Sequence, residues 1–145
     1  MVNVGDKKIT KRNATAMAKM FLGKEIISHF KNDELNTKKG PVFQTAVIAG
    51  IQAVKKTSEL IPMCHPLFID GVDISINITD KEHIEIRCTV SVESKTGVEM
   101  EALTGANIVA LTVYDMCKSI SQKMVIKEIK LLEKTGGKSD IKVEN

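Results

Sequence analysis

Two runs of alternating apolar and polar residues constrain the fold of this chain more than any other feature of its sequence. From Val72 to Thr79, and again from Ile84 to Val92, an apolar side chain stands at every second position. A period of two puts one set of side chains on each face of a sheet, so each run predicts a strand with one covered face. The DKEH segment between them predicts a turn, and together they predict an antiparallel hairpin.

A helix is predicted for residues 41–56, PVFQTAVIAGIQAVKK. Pro41 suits the first helical position, where its missing N–H leaves no helical hydrogen bond unmade. Small side chains recur along one side of this helix and would let a sheet or a partner helix come close. That stripe consists of Ala46, Ala49, Gly50 and Ala53. A shorter helix is expected at residues 22–31.

A second long helix is predicted from Thr96 to about Ser121. Thr96 and Glu99 have the spacing of a capping box, in which the two side chains bond the first free N–H groups of a helix. The capping role alone would account for the carboxylate of Glu99.

The two ends of the chain complete the order of elements. Residues 1–20 are ambiguous, because those from Lys11 to Met20 alternate as a strand does while their Ala, Met and Lys content favours a helix. Residues 124–134 predict a last strand, and the tail after them predicts a loop. The order strand, helices, strand, strand, helix, strand predicts a single α+β domain over residues 1–145. It is the ferredoxin-like split βαβ fold, an antiparallel sheet with helices on one face.

Composition narrows the class of protein. The chain has 145 residues, a net charge of +3, no Trp and one Tyr, which is little charge and few aromatic rings for a nucleic-acid binder. No apolar run approaches the ~18 residues of a membrane span, and the first residues lack the apolar core of a signal peptide. The three cysteines, Cys64, Cys88 and Cys117, form no CxxC pair. We therefore expect a reduced, cytoplasmic protein without a metal site.

The segment ELIPMCHPL places His65 between Cys64 and Pro66, with Pro62 three residues before it. The prolines restrict the backbone on both sides of the histidine. An imidazole aimed by such a corner suits acid–base chemistry or phosphate binding. A histidine held in a rigid turn for structural reasons is an equally good interpretation.

Two lysine-rich segments suggest an anionic ligand. Lys38 and Lys39 precede the predicted helix start at Pro41, and helix N-termini attract anions. In the tail, GGKS lacks the first glycine of a phosphate-binding P-loop, but Lys134 and Lys138 flank a glycine turn that could bind phosphate. A solvated loop and an exposed basic tail are the structural alternatives.

Asp115 and Lys118 are three residues apart on the second long helix. They predict either a surface ion pair or a lysine that a carboxylate orients for proton transfer. Glu101 lies 14 residues before Asp115, about 21 Å along a helix. Both carboxylates can therefore serve one site only if the ligand is long or if two subunits contribute.

Three segments carry a resemblance to a known family. KGPVFQTAVIAGIQAVKKTSELIPMCHPL, KTGVEMEALTGANIVALTVYDMCKSI and KTGGKSD closely resemble the MoaC family, the cyclic pyranopterin monophosphate synthases of molybdenum cofactor biosynthesis. The likeness extends from MVNV to IKVE. It implies a lyase that converts 3′,8-cyclo-7,8-dihydro-GTP, made by a radical-SAM enzyme, to cyclic pyranopterin monophosphate with release of pyrophosphate.

The resemblance also implies roles for individual residues. Lys118 is the general acid or base and Asp115 is its orienting carboxylate, while Lys39 and Lys134 are further catalytic lysines. The substrate-binding residues are His65, Cys64, Glu99, Met100, Glu101 and Arg12, with Arg12 expected on the triphosphate. Packing alone would account for Cys64.

The resemblance further implies a strand at residues 9–20 and a homohexamer, a trimer of dimers with active sites between subunits. The polar sheet face and the small-residue helix are then candidate interfaces. The resemblance implies that no cofactor is required, although the pyrophosphate could bind Mg²⁺. No nucleic acid or membrane is expected as a partner. The alternative is a non-catalytic nucleotide-binding regulatory module on the same fold.

Overall fold

The computed structural model describes residues 1–143 and has an α+β architecture built on an antiparallel sheet. Its elements, in chain order, are β1 (Thr10–Phe21), α1 (Lys24–Ile27), β2 (Asn36–Thr37), β3 (Gly40–Pro41), α2 (Val42–Lys55), α3 (Thr57–Leu60), β4 (Gly71–Ile78), β5 (His83–Ser94), α4 (Glu99–Cys117), β6 (Val125–Thr135) and β7 (Ile141–Lys142).

The sheet confirms the predicted ferredoxin-like topology. Its order is β4-β5-β1-β6-β7, and every neighbouring pair is antiparallel. The four long strands therefore lie in the order second, third, first, fourth, as a split βαβ fold requires. The N-terminal region is a strand, paired with β5 from Thr10↔Ser94 to Phe21↔His83.

The core lies between the sheet and the helices. Ala14, Ala16, Ala18 and Met20 point from β1 toward the helices and are at most 1% exposed. They meet the predicted apolar face of β5, from Ile84 to Val92, which is equally buried. Small alanines on the central strand allow α4 to lie close against the sheet.

The small-residue stripe of α2 packs inside the chain. A Cβ added to Gly50 would stand 2.5 Å from Val109 Cγ2 of α4 and 2.7 Å from Ile74 Cδ1 of β4. Ala46 and Ala53 are buried along with Gly50. The stripe thus packs against α4 and the sheet, which confirms the prediction that this face of the helix lies close to a sheet or another helix.

Several predicted boundaries need correction. Residues 22–31 form only the four-residue α1, because Gly23 has φ +87° and turns replace the helix after Ile27. Pro41 is the N-cap of α2 and not its first helical residue, since its ψ of 127° is extended. The tail is not all loop, because Ile141 and Lys142 pair with β6.

The second long helix also differs at both ends. It begins at Glu99 with Val98 as N-cap, and no side chain caps it. The predicted capping box is therefore wrong, because Thr96 lies two residues outside the cap. The helix ends at Cys117, not near Ser121, and a turn follows in which the Ile120 N–H donates to the Cys117 carbonyl at 2.9 Å. No helix within residues 1–143 is long and apolar enough to cross a membrane.

Candidate active site

Lys39, Asp115 and Lys118 meet at the C-terminal end of α4, and we call them the lysine–aspartate cluster. Lys39 Nζ lies 2.7 Å from Asp115 Oδ2, and Lys118 Nζ lies 2.8 Å from Asp115 Oδ1. One carboxylate thus binds two ammonium groups, one on each oxygen. The three side chains are about half exposed and border a cavity of about 390 Å³.

The position of Lys39 follows from a tight hairpin between β2 and β3. Gly40 adopts φ +110°, a conformation that side-chain-bearing residues rarely adopt. Thr37 Oγ1 accepts a hydrogen bond from the Lys39 N–H at 3.1 Å and donates one to the Gly40 carbonyl at 3.3 Å. These bonds hold the turn and direct Lys39 toward α4.

Glu34, which the sequence did not indicate, fixes the start of α2. Its Oε1 accepts the Phe43 N–H at 2.8 Å and its Oε2 accepts the Gln44 N–H at 3.1 Å. A carboxylate there satisfies free N–H groups and complements the helix dipole. Since Glu34 occupies this helix N-terminus, the interpretation of the terminus as a ligand anion site is wrong.

The ion pairs set the charge state of the lysine–aspartate cluster. Hydrogen bonds from Lys118 and then from Lys39 lower the pKa of Asp115 to about 2. The hydrogen bond between Asp115 and Lys118, together with the negative charge of Asp115, raises the pKa of Lys118 above its ordinary value. Lys118 is therefore an ammonium in the free chain, ready to donate a proton and not to accept one.

A second group of predicted residues surrounds a cavity of about 240 Å³, which we call the cationic pocket. Its lining includes the charged residues Lys7, Arg12, Glu99, Lys134 and Lys138. Four of these five side chains carry positive charge, which suits a phosphate-bearing ligand. Lys7 was not predicted, and since it stands in an irregular segment no local pattern marks it.

Hydrogen bonds and an ion pair hold the side chains of Arg12 and Lys134 in the cationic pocket. Arg12 donates from Nε to the Ser94 carbonyl at 3.0 Å and from Nη2 to the Lys95 carbonyl at 3.1 Å. Lys134 Nζ lies 2.9 Å from Glu99 Oε1. Burial raises the pKa of Glu99, but the hydrogen bond from Lys134 and the charge of Arg12 outweigh it and hold the pKa below the ordinary value.

The glycine turn after β6 borders the cationic pocket through Gly137 and Lys138. Gly136 has φ +87°, and a Cβ there would collide with the carbonyl oxygen of Lys11. Its N–H donates to Asp140 Oδ1 at 3.0 Å, and its carbonyl accepts from Thr10 Oγ1 at 2.7 Å. The turn is thereby fastened to β1, beside Arg12.

The remaining predicted residues form a third cavity of about 160 Å³, the histidine pocket. Cys64, His65, Met100 and Glu101 line it, and it shares Glu99 with the cationic pocket. The two pockets are therefore neighbours around the start of α4. Thr96 and Gly97 also line both, although the sequence suggested only a capping role for Thr96.

The histidine pocket keeps its carboxyl group away from water. Glu101 is 4% exposed, and burial raises its pKa. Burial and the nearby Glu101 also raise the pKa of Cys64, which opposes a thiolate role for that cysteine. His65 Nε2 lies 2.8 Å from the Val2 carbonyl oxygen.

The structure thus brings the ten predicted residues together in two places. Three form the lysine–aspartate cluster, and seven surround the cationic and histidine pockets. Glu101 and Asp115, one from each place, are 14 residues apart on one straight run of helix, about 21 Å. Among residues 1–143, no three His, Cys, Asp or Glu side chains are grouped as metal ligands.

The sequence of this chain is similar to that of known proteins over nearly its whole length. The MoaC family profile matches residues 1–137. A cyclic pyranopterin monophosphate synthase of Xanthomonas campestris is 50% identical over 97% of this chain and 86% of its own length. One from Bacillus mycoides is 49% identical over 100% of this chain and 91% of its own.

Longer relatives match as well. A molybdenum cofactor biosynthesis bifunctional protein of Synechocystis is 50% identical over 97% of this chain, and the chain spans 42% of that protein's length. The match to the family profile covers the lysine–aspartate cluster and every lining residue of the two pockets except Lys138. The chain belongs to the MoaC family.

Proposed function

We propose that this chain is a cyclic pyranopterin monophosphate synthase, a lyase of molybdenum cofactor biosynthesis. It would convert 3′,8-cyclo-7,8-dihydro-GTP to cyclic pyranopterin monophosphate and release pyrophosphate. The observation that carries the proposal is the 50% identity to the Xanthomonas protein of that name, over 97% of this chain. The chemistry available in the two groups of residues supports it.

The lysine–aspartate cluster supports the proton transfers of the rearrangement. Breaking and forming C–N bonds requires protons to be delivered to departing nitrogens. Lys118, held as an ammonium by Asp115 at 2.8 Å, is the group we propose as general acid. Lys39 shares the same carboxylate and is proposed as the second proton donor. Once Lys118 has given up its proton, its amine can serve as a base in a later step.

The cationic pocket supports binding of the triphosphate and departure of pyrophosphate. Arg12, Lys134 and Lys138 would neutralise the charge that accumulates on the leaving phosphates. In the free chain Lys134 pairs with Glu99 at 2.9 Å, so ligand phosphate would compete with that carboxylate for the ammonium. The adjoining histidine pocket would hold the guanine-derived ring, with His65, Met100 and Glu101 around it.

We further propose that the active site forms between subunits of a homohexamer, a trimer of dimers. The support is the separation of about 21 Å between Glu101 and Asp115 on one helix. A compact substrate reaches both groups only if the lysine–aspartate cluster of one subunit faces the two pockets of another. The polar face of the sheet and the small-residue helix α2 stay candidate interfaces.

The proposal has further parts. We propose a radical-SAM enzyme as the source of the substrate, and a cytoplasmic location, for which the three free cysteines are the support. We propose that the reaction requires no cofactor. A Mg²⁺ ion, if it takes part, would bind at the pyrophosphate. The whole of residues 1–145 would act as one catalytic domain.

A turnover assay tests the proposal. The purified protein receives the cyclic dihydro-GTP intermediate, and pyrophosphate and pterin product are followed together. The proposal expects both products from wild type and a rate lower by about 10²–10⁴-fold from Lys118→Ala. Binding of the intermediate without any product from folded wild type would instead favour a non-catalytic nucleotide-binding module. Equal turnover by Lys118→Ala would retain the activity and overturn the role of Lys118.

A further inference from the structure

Phe68 is the most exposed large apolar side chain of residues 1–143, and the proposed reaction does not use it. It is 99% exposed and follows Leu67, which lines the histidine pocket. Leu60 and Met63, earlier in the same connection between α3 and β4, are exposed as well. Because burial of an aromatic ring is favourable and such rings are enriched where proteins bind one another, Phe68 marks an interaction surface.

An apolar groove of about 550 Å³ lies elsewhere on the same subunit. Its apolar lining consists of Phe43, Val47, Ile48 and Ile76, and Ile48 is 60% exposed. The ring of Phe43 packs against that of Phe30 with centroids 4.8 Å apart, so the groove has an aromatic floor. A benzyl side chain suits this groove, because aromatic pairs are stabilised beyond the area that they bury.

The groove and Phe68 lie at opposite ends of α2 and β4. The groove includes Phe43, near the start of α2, and Ile76, near the end of β4. Phe68 precedes β4, which begins at Gly71, five residues or about 17 Å before Ile76. Two copies of the chain related by a twofold axis can therefore place each Phe68 in the groove of the other.

The same contact would join the two halves of the proposed site. Phe68 adjoins the histidine pocket through Leu67. The groove is bordered by Glu34, whose carboxylate accepts the Phe43 N–H at 2.8 Å, directly after the hairpin that presents Lys39. A Phe68 seated in the groove thus brings the histidine pocket of one subunit toward the lysine–aspartate cluster of another. The separation of about 21 Å along α4 requires such an approach.

We propose that Phe68 anchors the subunit contact that completes the active site, seated in the apolar groove of a second copy of this chain. This inference rests on the proposed function, in which two subunits share each site. The contact is isologous, so each pair of subunits makes it twice and forms two complete sites. The polar face of the sheet is left for contacts between such pairs.

Sedimentation of substituted proteins tests the anchor. Phe68→Asp should weaken the assembly on the order of 30-fold or more, as loss of an aromatic hot spot does, and give a smaller species. Ile48→Asp, in the groove, should have the same effect, whereas Phe68→Leu keeps an apolar side chain and should keep the assembly. Since Phe68 is exposed in the single subunit, circular dichroism should show an unchanged fold. A Phe68→Asp protein as fully assembled as wild type would overturn the proposal.

Cross-linking between differently tagged, co-expressed subunits tests which surface receives Phe68. One subunit carries Phe68→Cys and the other Gln44→Cys, an exposed residue that borders the groove, both with Cys64→Ala. A short bismaleimide should join the two tags. Gln52→Cys, at an exposed position about two turns further along α2, is the matched control and should react much less. Equal yields from Gln44→Cys and Gln52→Cys would contradict the groove as the receiving surface.

Neither readout depends on turnover, so the contact and the proposed activity can fail separately. Assembly and cross-linking as expected, without pterin product from wild type, would support the contact and overturn the activity. Turnover by a Phe68→Asp protein that stays assembled would support the activity and overturn the contact.

Discussion

The two ends of helix α4 present ionisable groups in opposite electrostatic settings. At the C-terminal end, Asp115 and Lys118 are about half exposed and compensate each other's charge. At the N-terminal end, Glu101 is 4% exposed and has no cation bound to it among the ion pairs of residues 1–143. Compensation holds an ammonium charged in water, whereas burial favours a neutral carboxyl. One helix thus provides a charged ammonium and a desolvated binding surface about 21 Å apart.

The largest predicted effect separates the chemical roles of the two ends. Lys118→Ala should lower kcat by about 10²–10⁴-fold with little change in KM, because a general acid acts in the transition state. Lys134→Ala should mainly raise KM, because its charge binds phosphate before and after the reaction. Steady-state kinetics on both variants check this, with Lys38→Ala as a control that borders the same cavity as Lys118. A rise in KM alone for Lys118→Ala would contradict the division.

The glycine turn of the cationic pocket should not tolerate a side chain at Gly136. Gly136→Ala meets both a positive φ and the Lys11 carbonyl, so it should destabilise the fold by ~1–3 kcal/mol and weaken substrate binding. Gly137→Ala is the matched control, because its Cβ would lie 3.4 Å from Arg12 Nη1 and 4.0 Å from the Ser139 carbonyl oxygen, which is ordinary contact. Urea unfolding at one fixed protein concentration measures both. Equal stability of the two variants would show that the turn is not strained.

A smaller effect is expected at the hairpin that presents Lys39. Glu34→Ala removes the carboxylate that accepts the Phe43 and Gln44 N–H groups, so it should cost ~0.5–2 kcal/mol, as the loss of a helix cap does. Glu59→Ala removes an exposed carboxylate from the neighbouring α3 and should change stability little. Thermal unfolding of the two variants gives the comparison, and equal losses would mean that Glu34 does not hold the helix start.

The smallest predicted effects are opposite shifts in the pKa values of two carboxyl groups. Asp115 should titrate at about 2, below its ordinary value of 3.8, and Glu101 above its ordinary 4.5. The stabilisation from Asp115 is therefore present above pH 3.8 and lost as the pH falls through about 2. For Glu101 it is present below pH 4.5 and lost as the pH rises through its raised pKa. NMR of the side-chain carboxyl carbons measures both, and Lys118→Gln should raise only the pKa of Asp115. Shifts of the same sign would contradict the contrast between the two ends.

The sequence predicted β4 and β5 well because each of them carries its own alternating pattern, whereas the composition of β1 left a helix open. The alternation of apolar and polar residues in β4 and β5 indicates which face is buried. The strand bounds that it predicts agree with the structure to within a few residues. The helix ends were less accurate because caps depend on contacts with distant residues. Glu34 lies nine and ten residues before the N–H groups that it accepts, and no short motif indicates such a contact.

The candidate site was predictable as a set of residues but not as a geometry. Asp115 and Lys118 are neighbours on one helical face, so their pairing is visible in the spacing. Lys39 reaches the same carboxylate from 76 positions earlier, and only the packing of α2 on α4 brings it there. The partnership of Lys134 with Glu99 likewise depends on the sheet, because β6 carries Lys134 back to the start of α4.

The measurement that tests the central claim most directly is complementation between two defective subunits. One carries Lys118→Ala, and the other carries Arg12→Ala with Lys134→Ala; the two are co-expressed with different tags and purified as mixed oligomers. If each site joins the lysine–aspartate cluster of one subunit to the pockets of another, half of the sites in a mixed pair are intact. Random mixing should then restore about a quarter of wild-type turnover at low substrate concentration. Mixed oligomers as inactive as both parents would contradict a site shared between subunits.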